Sequence, residues 1–125
     1  MAPGKAGARQ LDLRGEPLAV CSTSPLTGWF RDGFCATDEQ DRGSHTVCAV
    51  VDDAFLRFTR SRGNDLVTPR EGFPGLRAGD RWCLCAARWE EARRAGVAPP
   101  VVIQATSAAA TRAADRDALI AAAVR

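Results

Sequence analysis

Arg81-Trp82-Cys83-Leu84-Cys85 sets two thiols two residues apart, with an arginine in the same alternation. In an extended segment alternate side chains share a face, so Arg81, Cys83 and Cys85 stand together while Asp80, Trp82 and Leu84 point the other way. A guanidinium beside a thiol favours the thiolate, the form that attacks electrophiles and binds metals. Cys83 and Cys85 are therefore the expected catalytic thiols, polarised by Arg81. The competing reading is structural, because free cysteine is among the most buried residue types and packs as a small hydrophobe.

His45 is the one histidine of the chain, so a proton shuttle near neutral pH must use it or a perturbed cysteine or carboxylate. It joins the catalytic candidates. With a turn at Ser44–His45, His45 and Cys48 would converge, and with Cys83 and Cys85 they would make a Cys₃His metal set. The regular zinc spacings are absent, so the metal reading stands as an alternative. Arg31-Asp32-Gly33 and Gly63-Asn64-Asp65 supply a guanidinium and carboxylates beside glycines. Arg31 or Arg81 would clamp an anion, Asp32 or Asp65 would act as acid or base, and Cys48 would complete a ligand-binding set of Arg31, Asp32, Cys48 and Asp65. Against that, Gly63 reads as a helix stop, Asn64 as a loop closer, and Gly72-Phe73-Pro74-Gly75 as a turn whose Phe plugs the core.

The elements that must position these residues follow from pattern. His45–Val51 is rich in β-branched residues and apolar at both parities after His45, which suits a strand covered on both faces. Asp52 or Asp53 caps a helix over Ala54–Arg62, and Asn64–Gly79 is a loop dense in turn signals. Arg81–Cys85 is a second strand, Ala86–Ala95 a helix stopped by Gly96, and Val101–Ala105 a third strand. Asp115 caps a last helix over Asp117–Val124. Residues 11–43 hold little period of either kind and read as an ordered, loop-rich third. Strands alternating with helices predict a small single α/β (or α+β) domain over residues 11–125, with three helices and a mixed or partly parallel sheet. Residues 1–10 read as a flexible tail.

Composition narrows the function classes. The 17 Lys and Arg face 15 Asp and Glu for a net charge of +2, spread as 8 basic and 8 acidic residues up to Arg62 and 9 and 7 beyond. No basic stripe recommends nucleic acid, and no apolar run of about 18 residues recommends a membrane span. Apolar residues make up 46% of the chain and charged ones 26%, an ordinary globular balance. The Met1–Gln10 stretch has no apolar run, which reads as cytoplasmic, and there the five cysteines are expected as reduced thiols.

Cys21-Ser22-Thr23-Ser24-Pro25-Leu26-Thr27-Gly28, Arg31-Asp32-Gly33, Gly43-Ser44-His45-Thr46-Val47-Cys48-Ala49-Val50, Gly63-Asn64-Asp65-Leu66, Gly72-Phe73-Pro74-Gly75-Leu76 and Gly79-Asp80-Arg81-Trp82-Cys83-Leu84-Cys85-Ala86 form an ordered series of motif strings. Together with Ala95-Gly96-Val97-Ala98-Pro99-Pro100-Val101-Val102, the series resembles a bacterial family catalogued as domain of unknown function 2237. The resemblance implies no activity and no cofactor. The chain departs from the family pattern at Phe34, where members often carry a first of two adjacent cysteines, and at Ser107-Ala108, where they often carry His-Glu. The loop between Arg70 and Gly72 is also about two residues short of that pattern.

Taken together, these residues lead to the expectation of a small-molecule-binding domain, its ligand an anionic metabolite, with thiol chemistry at Cys83 or Cys85. A metal-binding protein using His45, Cys48, Cys83 and Cys85 is the second class, and an interaction module with a cysteine-rich structural core the third. The cofactor is left unassigned.

Overall fold

A computed structural model describes residues 10–124; the expected tail, apart from its last residue, lies outside the described residues. Strand β1 (His45–Val50) is buried at its four central positions, as a run apolar at both parities requires. Helix α1 (Asp53–Ser61) starts where Asp52 accepts a hydrogen bond from the Phe55 amide at 2.9 Å, and it buries Phe55, Leu56 and Thr59. The chain then crosses a long loop to strand β2 (Arg81–Cys85), which runs directly into helix α2 (Ala86–Arg94). Two 3-10 turns, Ile103–Ala105 and Ala108–Arg112, lead to the short helix α3 (Arg116–Ala121), capped by Asp115 on the Ala118 amide.

This is an α+β arrangement of three helices and a two-stranded sheet among the described residues, and the pairing differs from a partly parallel sheet. β1 and β2 run antiparallel, with Val47 opposite Leu84, Cys48 opposite Cys83 and Val50 opposite Arg81, and the register shifts between His45 and Val47. The expected third strand is present only in outline. Val50 donates to the Pro100 carbonyl, Val102 to Cys48 and Ser107 to Thr46, so residues 100–107 cover the free edge of β1. A 3-10 turn at Ile103–Ala105 buckles that segment, leaving single bridges of Val101 to Ala49 and Ala123. At the buckle the Thr106 hydroxyl takes over for a backbone carbonyl, accepting from the Cys48 amide at 3.1 Å and donating to the Val102 carbonyl at 2.9 Å.

The alternation of the two strands sorts the interior into two cores. Val47, Ala49, Trp82 and Leu84 face the helices and pack with Phe55, Leu56, Trp89 and Leu119. Cys48 and Cys83 face the opposite way, into a smaller cluster with Cys21, Cys35, Val102 and Ala105. Trp89, fully buried, satisfies its indole N–H on the Pro99 carbonyl, as a buried Trp must. Glu90, buried at 8% exposure, ties α2 to the start of α3. It accepts from Arg93 Nε at 2.9 Å and from Arg93 Nη2, from Arg94 at 3.3 Å and from the Asp115 amide at 3.3 Å.

Two outcomes follow. Thr106→Val leaves the buried Cys48 amide without an acceptor and should lower unfolding stability in urea by about 1–3 kcal/mol. The Arg93 hydrogen bonds, supported by Asp115 and Arg94 and opposed by burial, hold the Glu90 carboxyl at about 2 rather than its ordinary 4.5. The stabilisation is therefore complete above the ordinary value and lost as pH falls through that window. Urea midpoints of the native chain should drop over this range, and Glu90→Gln should flatten that part of the profile.

Candidate functional site

The cysteines resolve first. Cys21 is bonded to Cys48 and Cys35 to Cys83, and Cys85 alone is free. The expectation of five reduced thiols is corrected, and with it the roles given to two of them. Cys83 is 1% exposed and Cys48 is fully buried, each joined to a cysteine of the loop-rich N-terminal third. Cys83 presents no thiol to act as nucleophile, and the set of His45, Cys48, Cys83 and Cys85 keeps only two free ligand residues. The physical reason is register. Cys48 and Cys83 are direct neighbours across β1–β2 on the face that the helices leave open. The aperiodic N-terminal segment covers that face, and it brings Cys21 and Cys35 onto them. The sulfurs of Cys21, Cys35 and Cys83 all lie within 4.8 Å of one another, so the two bonds form one sulfur cluster.

Beside this cluster opens a cleft of about 400 Å³. Arg31, His45, Asn64 and Arg70 bring polar groups to it, Trp29, Phe73 and Trp82 form its walls, and no acidic residue lines it. The Arg31 guanidinium lies over the Trp82 ring, 5.2 Å from its centroid, and donates to the Gly28 carbonyl at 2.7 Å. Arg70 lies over Phe73 at 5.0 Å and donates to the Asp65 carbonyl at 3.0 Å. Neither guanidinium has a carboxylate partner among the described residues. Phe73 is the expected core plug, edge-on to Trp82 at 5.2 Å.

His45 is the best-held side chain of the cleft. Its Nδ1 lies 2.7 Å from Asp41 Oδ1, and the Asp41 side chain is fully buried. Asp41 Oδ2 in turn accepts from the His45 amide and the Thr37 hydroxyl, both at 2.9 Å. A carboxylate can only accept, so Nδ1 carries a proton, and in the neutral ring the lone pair is on Nε2. Trp29 stacks on the ring, centroids 6.2 Å apart and planes 7° from parallel. Gly43 must be glycine for the ring to sit there, because a Cβ would come within 2.7 Å of His45 Cε1. The two non-glycine residues with positive φ among those described, Arg31 (53°) and Ser44 (48°), both flank this cleft. Such backbone costs about 1–3 kcal/mol and collects at binding sites.

The other expected residues are placed differently. Arg81 is exposed at the far end of β2, opposite Val50, and polarises no thiol in the cleft. Asp32 closes its own turn on the Phe34 amide, and its second oxygen is buried without a partner. Asp65 accepts from Val67 and Thr68. The Thr68 side chain first, and then these two amides, hold its carboxyl at about 2, which makes it a loop closer with no proton to exchange near neutral pH. Asn64 likewise serves the loop, donating to Thr59 Oγ1 at 3.0 Å while lining the cleft. Sequence reasoning missed Asp41 and Arg70. An acidic residue four positions before the one histidine is a signal for the first; a single arginine in a turn-rich loop offers none for the second.

A larger groove of about 580 Å³ runs between α1 and α2, but its charges are already paired, Glu91 with Arg62 and Arg88, and Glu90 with Arg94. No helix among the described residues is long and apolar enough to cross a membrane.

The cysteine pairing has a direct readout. Thiol titration of the chain unfolded without reductant should find one thiol, and five after reduction. Reduction should also lower stability by several kcal/mol, since closing chain segments of 27 and 48 residues is worth about 3.5 and about 4 kcal/mol in a chain-entropy account.

Comparison with known proteins adds a family and no activity. A family model described as an uncharacterised protein conserved in bacteria, domain of unknown function 2237, matches residues 11–123. No curated protein matches the chain.

Proposed function

The chain belongs to this family of uncharacterised bacterial proteins, and we propose that its cleft binds a small anionic molecule. One observation carries the reading: two guanidiniums without carboxylate partners and a histidine share a cleft that no acidic residue lines. Arg62, Arg88, Arg93 and Arg94, by contrast, are paired with Glu90 and Glu91. Arg31 and Arg70 are instead oriented by a carbonyl and an aromatic face, which fixes the guanidinium and leaves donors for a ligand. A guanidinium so held matches a carboxylate or phosphate bidentately. Trp29, Trp82 and Phe73 give the apolar body that such pockets usually supply beside a few placed polar groups. The volume suits a metabolite rather than a polymer, in keeping with the small net charge of +2.

Calorimetric titration with matched pairs of small carboxylates or phosphates and their neutral amides or alcohols tests this. The anionic member of a pair should bind and the neutral one should not, and added salt should weaken binding. Arg31→Gln and Arg70→Gln should each weaken it about tenfold, corresponding to ~1.4 kcal/mol. Equal binding of charged and neutral partners, unaffected by either substitution, removes the proposal.

A further inference from the structure

We infer that Cys85, His45 and Asp41 are a nucleophile, its base and the carboxylate that orients the base, set beside the cleft to attack an electrophilic carbon of the bound anion. The substrate class rests on the anion-binding reading; the chemistry rests on separate geometry.

Cys85 is the one unbonded cysteine and is only half-buried. It is the last residue of β2 and the N-cap of α2, and its side chain makes no capping hydrogen bond. The residue thus stands at the positive end of a nine-residue helix, which favours negative charge developing nearby. Across the sheet its register partner is His45. Both residues line one recess of about 60 Å³, and that recess shares His45, Asn64, Leu66, Trp82 and Cys83 with the larger cleft. The recess thus shares a wall with the cleft in which Arg31 and Arg70 would hold an anion.

His45 is prepared for the role of base. Asp41 fixes the tautomer, with the proton on Nδ1 and the lone pair on Nε2, and Trp29 fixes the ring plane. The order nucleophile, imidazole, buried carboxylate is the logic of activated nucleophiles on unrelated folds. No hydrogen bond joins His45 to Cys85, and catalytic contacts of this kind commonly tighten only when substrate binds.

The step is balanced without any further reagent. The Cys85 thiol proton passes to His45 Nε2, the sulfur forms a bond to the electrophilic carbon, and the bond from that carbon to its leaving group breaks. The leaving group departs with the electron pair and, where it is basic, takes the proton from the imidazolium. An acyl group so transferred is a thioester, which water splits to the acid and the free thiol. Asp41 touches neither thiol nor substrate and is a positioning residue.

Alkylation of the intact, unreduced chain tests this with two probes, neutral iodoacetamide and anionic iodoacetate, the site of labelling being read by peptide mass. Iodoacetamide should label Cys85 at least about tenfold faster in the folded chain than in the same chain unfolded in urea. His45→Gln should abolish that advantage, and Asp41→Asn should reduce it while leaving the Trp29–His45 stack intact by fluorescence. A folded chain that reacts no faster than the unfolded one overturns the inference, whatever happens with iodoacetate, and needs no variant to fold. If iodoacetamide behaves as expected and iodoacetate gains no rate over it relative to a free cysteine peptide, the nucleophile stands and the anion-binding reading falls.

Discussion

A two-stranded sheet has two faces to cover, and the helices here cover only one of them. The second face carries Cys48 and Cys83 side by side, and what lies on it is a segment with almost no regular structure. Such a segment has few ladder hydrogen bonds to hold it, and ordering it costs about 1–2 kcal/mol per residue in backbone entropy. The bonds of Cys21 to Cys48 and Cys35 to Cys83 impose the closure that packing alone would have to sustain. With the segment in place, Cys21, Cys35, Val102 and Ala105 form a second core, and Thr27 accepts from the Cys83 amide at 2.9 Å within it.

The same two bonds govern the cleft. Gly28, Trp29 and Arg31 all lie between Cys21 and Cys35, so the stretch that delivers them is pinned to the sheet at both ends. Its turn is tight enough that a Cβ on Gly28 would meet the Phe34 carbonyl at 2.3 Å, and Arg31 adopts left-handed backbone within it. The strand that anchors Cys83 ends two residues later at Cys85, where the helix begins. Stability of the second face and position of the polar groups are therefore one problem with one covalent solution.

Much of this was legible in the sequence, and the boundary of legibility is physical. Parity along His45–Val51 and Arg81–Cys85 carried the sorting of faces, because alternation in a strand is a local property. The caps at Asp52 and Asp115 and the stop at Gly63 were equally local. The pairing of cysteines was not, since separations of 27 and 48 residues through an aperiodic segment carry no signature. The third strand failed for a related reason. Val101–Ala105 has strand-like composition, but Thr106 offers its hydroxyl to the edge of β1 and so permits a 3-10 turn that a plain ladder would forbid. Of the expected site residues, Arg31 and His45 reach the cleft with free polar groups, Cys83 reaches it as half of a disulfide, and Cys85 reaches the recess beside it. Asp32 and Asp65 were placed by loop closure, and Arg81 by the end of its strand, neither of which side-chain type alone reveals.

The two disulfides interleave along the chain, Cys21 to Cys48 overlapping Cys35 to Cys83. A backbone cut anywhere between Cys21 and Cys83 therefore leaves the two fragments covalently joined, by one bond at most positions and by both if the cut falls between Cys35 and Cys48. The stretch carrying Trp29 and Arg31, and the long turn-rich loop carrying Arg70, both lie inside that interval. A protease that nicks either one produces a two-piece molecule still tethered across its sheet, with the cleft residues held on both pieces.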